Sequence, residues 1–186
     1  IFFDDIELIS LLLNLIKKDN NNTSQISRIS TMILASLSAL NPLCKHLTEA
    51  FPLILNMMKI NLNSPYPIVF ITNMASTSEG AFKCAKNISH IIKNAEVDFP
   101  RTIVAIQRTI TDSKAKEEIF TNEKENVNSL ISLLMKKWNP DNVFLSIVNE
   151  MAALESGRKA IVDSGLLNVL KKQFAEIDLA NESRPL

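Results

Sequence analysis

Asn73-Met74-Ala75-Ser76-Thr77-Ser78-Glu79-Gly80-Ala81-Phe82-Lys83 aligns without a gap on Glu150-Met151-Ala152-Ala153-Leu154-Glu155-Ser156-Gly157-Arg158-Lys159-Ala160, 77 positions further along the chain. Each copy then runs into a second apolar pattern of helical period. An offset of that size is about two units of a forty-residue helical repeat, the period of stacked-helix solenoids. A solenoid presents an extended surface, so the repeat directs attention to binding.

Composition points the same way. The chain has 186 residues, enough for one continuous core, so a single domain over 1–186 is expected. Three Gly, 46% hydrophobic residues and only 6% aromatics describe a helix-rich chain. Twenty Lys and Arg balance twenty Asp and Glu, and nothing draws in phosphate backbones from a distance. Nucleic acid is therefore not the expected partner. No uncharged apolar run approaches the roughly 20 residues of a membrane span, and Ile1-Phe2-Phe3 is broken at once by Asp4-Asp5. A cytoplasmic, or more broadly intracellular, location is expected, with the nucleus left open. The chain starts without Met inside an apolar pattern, which suggests an excerpt of a longer polypeptide.

Helical periodicity begins with Ile6, Ile9, Leu12, Leu13 and Ile16 and stops at Asp19-Asn20-Asn21-Asn22-Thr23. Phe2 and Phe3, or another chain, are expected to cover this first helix. Ser24 is an N-cap candidate for a helix whose apolar stripe is Ile26, Ile29, Ile33, Leu37 and Leu40, ended by Asn41-Pro42. Another helix runs through Phe51 to Ile60. Asn61 to Pro67 is a loop whose prolines preset the next helix, with Phe70, Ile71 and Met74. After a break near Thr77-Ser78 come Ala81 to Ala85 and Ile88 to Ala95. Asp98 and Pro100 open a helix with Ile103, Ile106 and Ile110. The charged stretch Asp112 to Asn126 reads as an interruption before Val127, Leu130, Leu133 and Leu134. Asp141 opens a helix with Phe144, Ile147, Val148 and Met151, Gly165 divides the two closing segments, and residues 178–186 read as a frayed tail.

Leu40, Met74, Ile110 and Met151 align as last core positions of successive long helices, 34, 36 and 41 residues apart. Here the chain resembles the armadillo repeat family. Ile71-Thr72-Asn73-Met74-Ala75 is similar to that family's third-helix core, and Ala160-Ile161-Val162-Asp163-Ser164-Gly165-Leu166-Leu167-Asn168-Val169-Leu170 to its second-helix motif. Glu49-Ala50-Phe51-Pro52-Leu53-Ile54-Leu55 is a weaker copy without the glycine. HEAT repeats share these signals. The resemblance implies an all-α fold, an α-solenoid wound as an armadillo-like right-handed superhelix of about four to five repeats.

The resemblance also implies a groove lined by the third helices, where a tryptophan and an asparagine clamp an extended peptide. Only Asn73 matches the asparagine; Ala39, Thr109 and Glu150 stand at its equivalents, and Ala35, Val69, Ala105 and Ser146 at the tryptophan's. The peptide ladder is missing, and Trp138 falls beside a loop. Helical spacing from the core anchors points Met32, Ala35 and Ala39; Tyr66, Val69 and Asn73; Thr102, Ala105 and Thr109; and Val143, Ser146 and Glu150 into such a groove. Arg101, Arg108 and Asn149 border it. The candidate protein-binding set is Tyr66, Asn73, Arg101, Arg108, Asn149 and Glu150; Asn73 alternatively makes a tethering hydrogen bond inside the stack, and the others alternatively face solvent.

No catalytic constellation stands out, and no cofactor is expected. There is no phosphate loop, nucleophile elbow or His-Glu-X-X-His helix. Cys44, His46, Cys84 and His90 follow the repeat rather than a metal-ligand spacing. The expectation is a noncatalytic protein-binding or scaffolding module whose partner is a protein segment, peptide or helix. The alternatives are a regulatory repeat domain of a larger enzyme such as a protein kinase, and a homodimerisation module.

Overall fold

The computed structural model describes residues 6–19, 24–60, 64–122, 124–137 and 142–182. Among them the regular elements are twelve α-helices and one 3-10 turn, with no strand. Phe2, Phe3, Trp138 and Asp141, each given a role above, lie outside the described residues.

Helix α1, Ile6–Lys18, buries Ile9, Leu12 and Ile16 and ends on two lysines suited to the negative end of its dipole. Helix α2, Gln25–Leu40, starts where the Ser24 hydroxyl accepts the Ser27 N–H and stops ahead of Pro42. Helix α3, Lys45–Ile60, continues through the solvent-facing Pro52, while α4, Tyr66–Met74, uses Pro67 in its first turn. Then come α5, Ser78–Ala85; α6, Ile88–Lys93, with the 3-10 turn Asn94–Glu96; and α7, Phe99–Thr111, capped by the Asp98 carboxylate on the Arg101 N–H. The chain continues as α8, Ser113–Asn122; α9, Lys124–Lys136; α10, Asn142–Ala152; α11, Glu155–Asp163; and α12, Leu166–Glu182. Gly165, at φ +78°, makes the left-handed turn between the last two.

One sequence expectation is corrected here. The charged stretch from Asp112 is no interruption, because it forms α8. Ala115, Ile119 and Phe120 make a buried stripe there while Lys114 and Glu117 stay in water, so those two charges mark the exposed face of an amphipathic helix. Helix α12 runs as far as Glu182. Ala175, Glu176, Leu179 and Ala180 favour helix strongly enough to extend α12.

The packing follows one order. α2 lies on α4, α4 on α7, and α7 on α10, while α5 packs on α8, α6 on α9, and α11 on both α8 and α9. One contiguous core runs through these layers, with Phe51, Phe70, Phe144 and Met74 among its fully buried side chains.

The two aligned segments share geometry at the atomic level. The Thr77 N–H donates to the Met74 carbonyl and the Leu154 N–H to that of Met151, at 3.0 and 3.2 Å. In both copies the glycine six residues after the methionine presses against that same carbonyl: a Cβ built on Gly80 falls 1.9 Å from Met74 O, and one on Gly157 falls 2.0 Å from Met151 O. The caps differ. Thr77 accepts the Gly80 N–H, whereas Leu154 has no such oxygen, and Arg158 instead reaches back to the carbonyls of Ala152 and Ala153.

The reading of α2 inverts. Its expected core stripe turns outward, with Leu40 at 62% exposure, while Met74, Ile110 and Met151 are fully buried as expected. Ser27, Ser30, Thr31, Leu34, Ala35 and Ser38 face the core instead. Small side chains permit close helix approach, and their hydroxyls are mostly satisfied at short range. Thr31 donates to Ser27 O and Ser38 to Ala35 O, each at 2.7 Å. Only the Ser27 hydroxyl is buried there without a partner.

Candidate functional site

Helices α2, α4, α7 and α10 pack in succession, and each keeps a line of open or half-open positions along one side of this row. Spacing and exposure select it. On α2 the open positions are Arg28, Met32, Ser36 and Ala39; on α4, the half-buried Tyr66, Val69 and Thr72; on α7, the exposed Arg101 and Arg108 with the half-buried Val104 between them; and on α10, the half-buried Ser146 and the exposed Asn149.

Tyr66 packs partly on the core and lines a hollow of about 490 Å3 with Gln25, Arg28, Ile29 and Met32. Asn73 is committed elsewhere. Its side-chain amide donates to the Ala35 carbonyl and the Ser38 hydroxyl, both at 3.1 Å, tying α4 to α2. Ala35 is buried in the same joint. Glu150 is likewise held, 2.7 Å from the Lys116 ammonium of α8 in a mostly buried ion pair. Asn149 is exposed.

Helix α7 corrects the expected phase. Thr102, Ala105 and Thr109 are fully buried, because this helix is flanked by α4 and α10 and backed by α5, α6 and α8. The open line lies one residue earlier, a rotation of about 100°. It makes Arg101 and Arg108, expected only as borders, the centre of the strip, with Val104 between them. The sequence signal for this was the i, i+7 arginine pair. Arg101 pairs with Asp98 at 2.7 Å and keeps half its side chain in water. Arg108 donates to the Thr72 carbonyl at 2.8 Å, capping the end of α4 while staying exposed.

Beside Arg108, a polar hollow opens between the Ala75–Ser78 turn and the end of α7. Asp112 organises it, accepting the Ser78 hydroxyl at 2.6 Å and the Ala115 N–H at 2.9 Å. Partial burial opposes ionisation of this carboxyl, but the Ser78 hydroxyl and the amides of Ala115 and Lys114 outweigh it and lower its pKa from 3.8. The sign is then fixed: a lowered folded pKa adds stability above the unfolded value, and that stability is lost as pH falls through the folded value. Asp112→Asn is expected to cost about 1 kcal/mol near neutral pH. The gap should close below pH 3.8 as the parent's own carboxyl protonates. Urea melts of both chains across this range check it; a gap constant down to about pH 2 would refute the assignment.

The other chemically suggestive side chains are quiet. Cys44 and Cys84 are free, buried thiols. Burial pushes Cys84 up to about 12 against a weaker opposing hydrogen bond with Thr109, which keeps it from acting as a thiolate. His90 is lowered by burial and by the nearby Lys59 and Lys93. Among the described residues no three His, Cys, Asp or Glu side chains converge to hold a metal ion, and no helix is long and apolar enough to cross a membrane.

Comparison with known proteins leaves these observations to stand alone: no family model, curated protein or solved structure matches the chain.

Proposed function

We propose that this chain is a noncatalytic protein-binding module, an intracellular α-solenoid of armadillo-like units that captures a protein segment along the strip formed by α2, α4, α7 and α10. The observation that carries the reading is the open line Arg101, Val104 and Arg108 on α7, continued by Tyr66 and Val69 on α4 and Met32 on α2. It combines apolar contact with two exposed guanidinium groups, the kinds of side chain that dominate binding energy at interfaces. The repeated Met-to-Gly geometry and the consecutive packing of the four helices support the solenoid reading.

The occupant that fits is a helix or extended segment with an apolar side and a carboxylate or two for Arg101 and Arg108. Asn73 and Glu150 serve the scaffold instead, holding neighbouring helices in register. Panning a phage-displayed random peptide library on the immobilised chain tests this. Selected peptides should be rich in acidic and apolar residues, and Arg101→Glu with Arg108→Glu should weaken them roughly tenfold or more. Peptides that bind the double variant as tightly as the parent would remove the strip as the site.

A further inference from the structure

The side of α2 turned away from α4 carries Ile26, Ile29, Ile33, Leu37 and Leu40. These lie about 100° around the helix from Arg28, Met32, Ser36 and Ala39, so this is a different face from the proposed strip. Ile26 is 58% exposed and Leu40 62%, with Ile29 also exposed and Ile33 and Leu37 half-buried. Helix α1 packs beside α2 and runs the opposite way: Ser24, at the start of α2, donates its N–H to Asp19 just past the end of α1, while Ile6 shares a hollow with Asn41 and Leu43. It adds Leu8 and the 56% exposed Leu11.

We propose that this end of the stack pairs with a second copy of the chain, the two α2 helices lying antiparallel across a two-fold axis at Ile33. The first reason is the spacing. The stripe advances by 3, 4, 4 and 3 residues and therefore reads the same in both directions about Ile33. Antiparallel copies set Ile26 opposite Leu40 and Ile29 opposite Leu37, the reciprocal pairing an isologous interface requires. Steps of three and four are also those of ridges packing into grooves between helices.

The second reason is charge. The same axis lays α1 antiparallel on its copy and brings Glu7, in its first turn, over Lys18, in its last. Opposite charges then meet twice at the edge. The sole charged residue of α2, Arg28, points toward the strip and leaves the contact uncharged.

The third reason is area. The exposed aliphatic groups of this face and its rim, including Ile6 and Leu43, amount to roughly 500 Å2, taking about 120 Å2 for a fully exposed side chain. A standard interface buries about 800 Å2 per partner, some three-fifths of it apolar. A stable dimer needs no more apolar surface than this face offers.

Sedimentation equilibrium of the 186-residue chain decides it. At tens of micromolar the parent should sediment at about twice the 20.8 kDa of one chain. Ile26→Lys with Leu40→Lys should weaken the dimer at least about a hundredfold, since it brings four uncompensated cations into the contact. Measured where both chains are monomeric, its urea melt should match the parent's, because both side chains face water in the single copy. Glu7→Lys should weaken pairing about fivefold to tenfold, and adding Lys18→Glu should restore it. A parent that stays at one chain's mass up to about half a millimolar overturns the proposal. So does a lysine variant that dimerises like the parent, or a charge swap no tighter than Glu7→Lys alone.

Discussion

Gly80→Ala and Gly157→Ala are each expected to destabilise the chain by about 3 kcal/mol, lowering the melting temperature by roughly 6–12 °C. The added Cβ meets the backbone of the preceding helix, at 1.9 Å from Met74 O and 2.5 Å from Met74 C in one case, and 2.0 and 2.8 Å from the same atoms of Met151 in the other. A carbonyl already bonded to the Thr77 or Leu154 N–H cannot turn aside as a flexible side chain does. Relief requires α5 to separate from α4, or α11 from α10. Gly165→Ala is the internal control. Its φ of +78° carries a strain of about 1–2 kcal/mol, but nothing lies within 4 Å of the added atom. Thermal melts should rank Gly80 and Gly157 together and above Gly165. A tolerated alanine at either of the first two would mean that the two turns are not equivalent.

Phe144→Ala is expected to cost about 3–5 kcal/mol, and Phe70→Ala a similar amount. Both rings are fully buried. Phe144 of α10 packs against Phe99 at the start of α7, with ring centroids 5.8 Å apart, so its loss opens a cavity in the joint between the two helices. Met74→Ala and Met151→Ala should fall at about 2–5 kcal/mol through the same mechanism at the aligned positions. Phe144→Leu should recover most of the loss, since it keeps much of the volume. Urea denaturation with an unchanged slope is the measurement. A cost below about 1 kcal/mol for Phe144→Ala would argue that α10 is not held on α7 by this contact.

Together these variants separate scaffold from surface. The glycines, methionines and phenylalanines hold the stack, as do Asn73 and Glu150. Arg101, Arg108 and Asn149 stay open on it, and their substitution should cost no more than about 1 kcal/mol, the loss of the Arg101–Asp98 pair and of the Arg108 bond to the Thr72 carbonyl.

Much of the local structure was legible in the chain alone. Ser24, Asp98, Pro67, Pro100, Gly165 and the Asn41-Pro42 stop act within one helical turn, so their effect does not depend on what lies across the core. The all-helical character and the internal repeat belong to the same class of information. The equivalence of Met74 with Met151 rested on eleven aligned residues, and the backbone carries it through to matching hydrogen bonds.

The rotational phase of each helix was another matter. An apolar stripe names a face that avoids water, without saying which neighbour removes the water. In α2 a second face of Ser, Thr and Ala packs closely on the rest of the chain and leaves the isoleucines outside. In α7 burial on three sides swallows Thr102, Ala105 and Thr109 and moves the open line to Arg101, Val104 and Arg108. In α8 the charged stretch that read as an interruption is a helix, with Lys114 and Glu117 on its wet side. The sequence by itself determined the all-helical character and the caps and stops of several helices, because hydrogen bonding and capping are settled within a few residues. Only the tertiary structure decided which side of each helix faces a neighbour and which remains for a partner, because burial depends on several helices approaching at once.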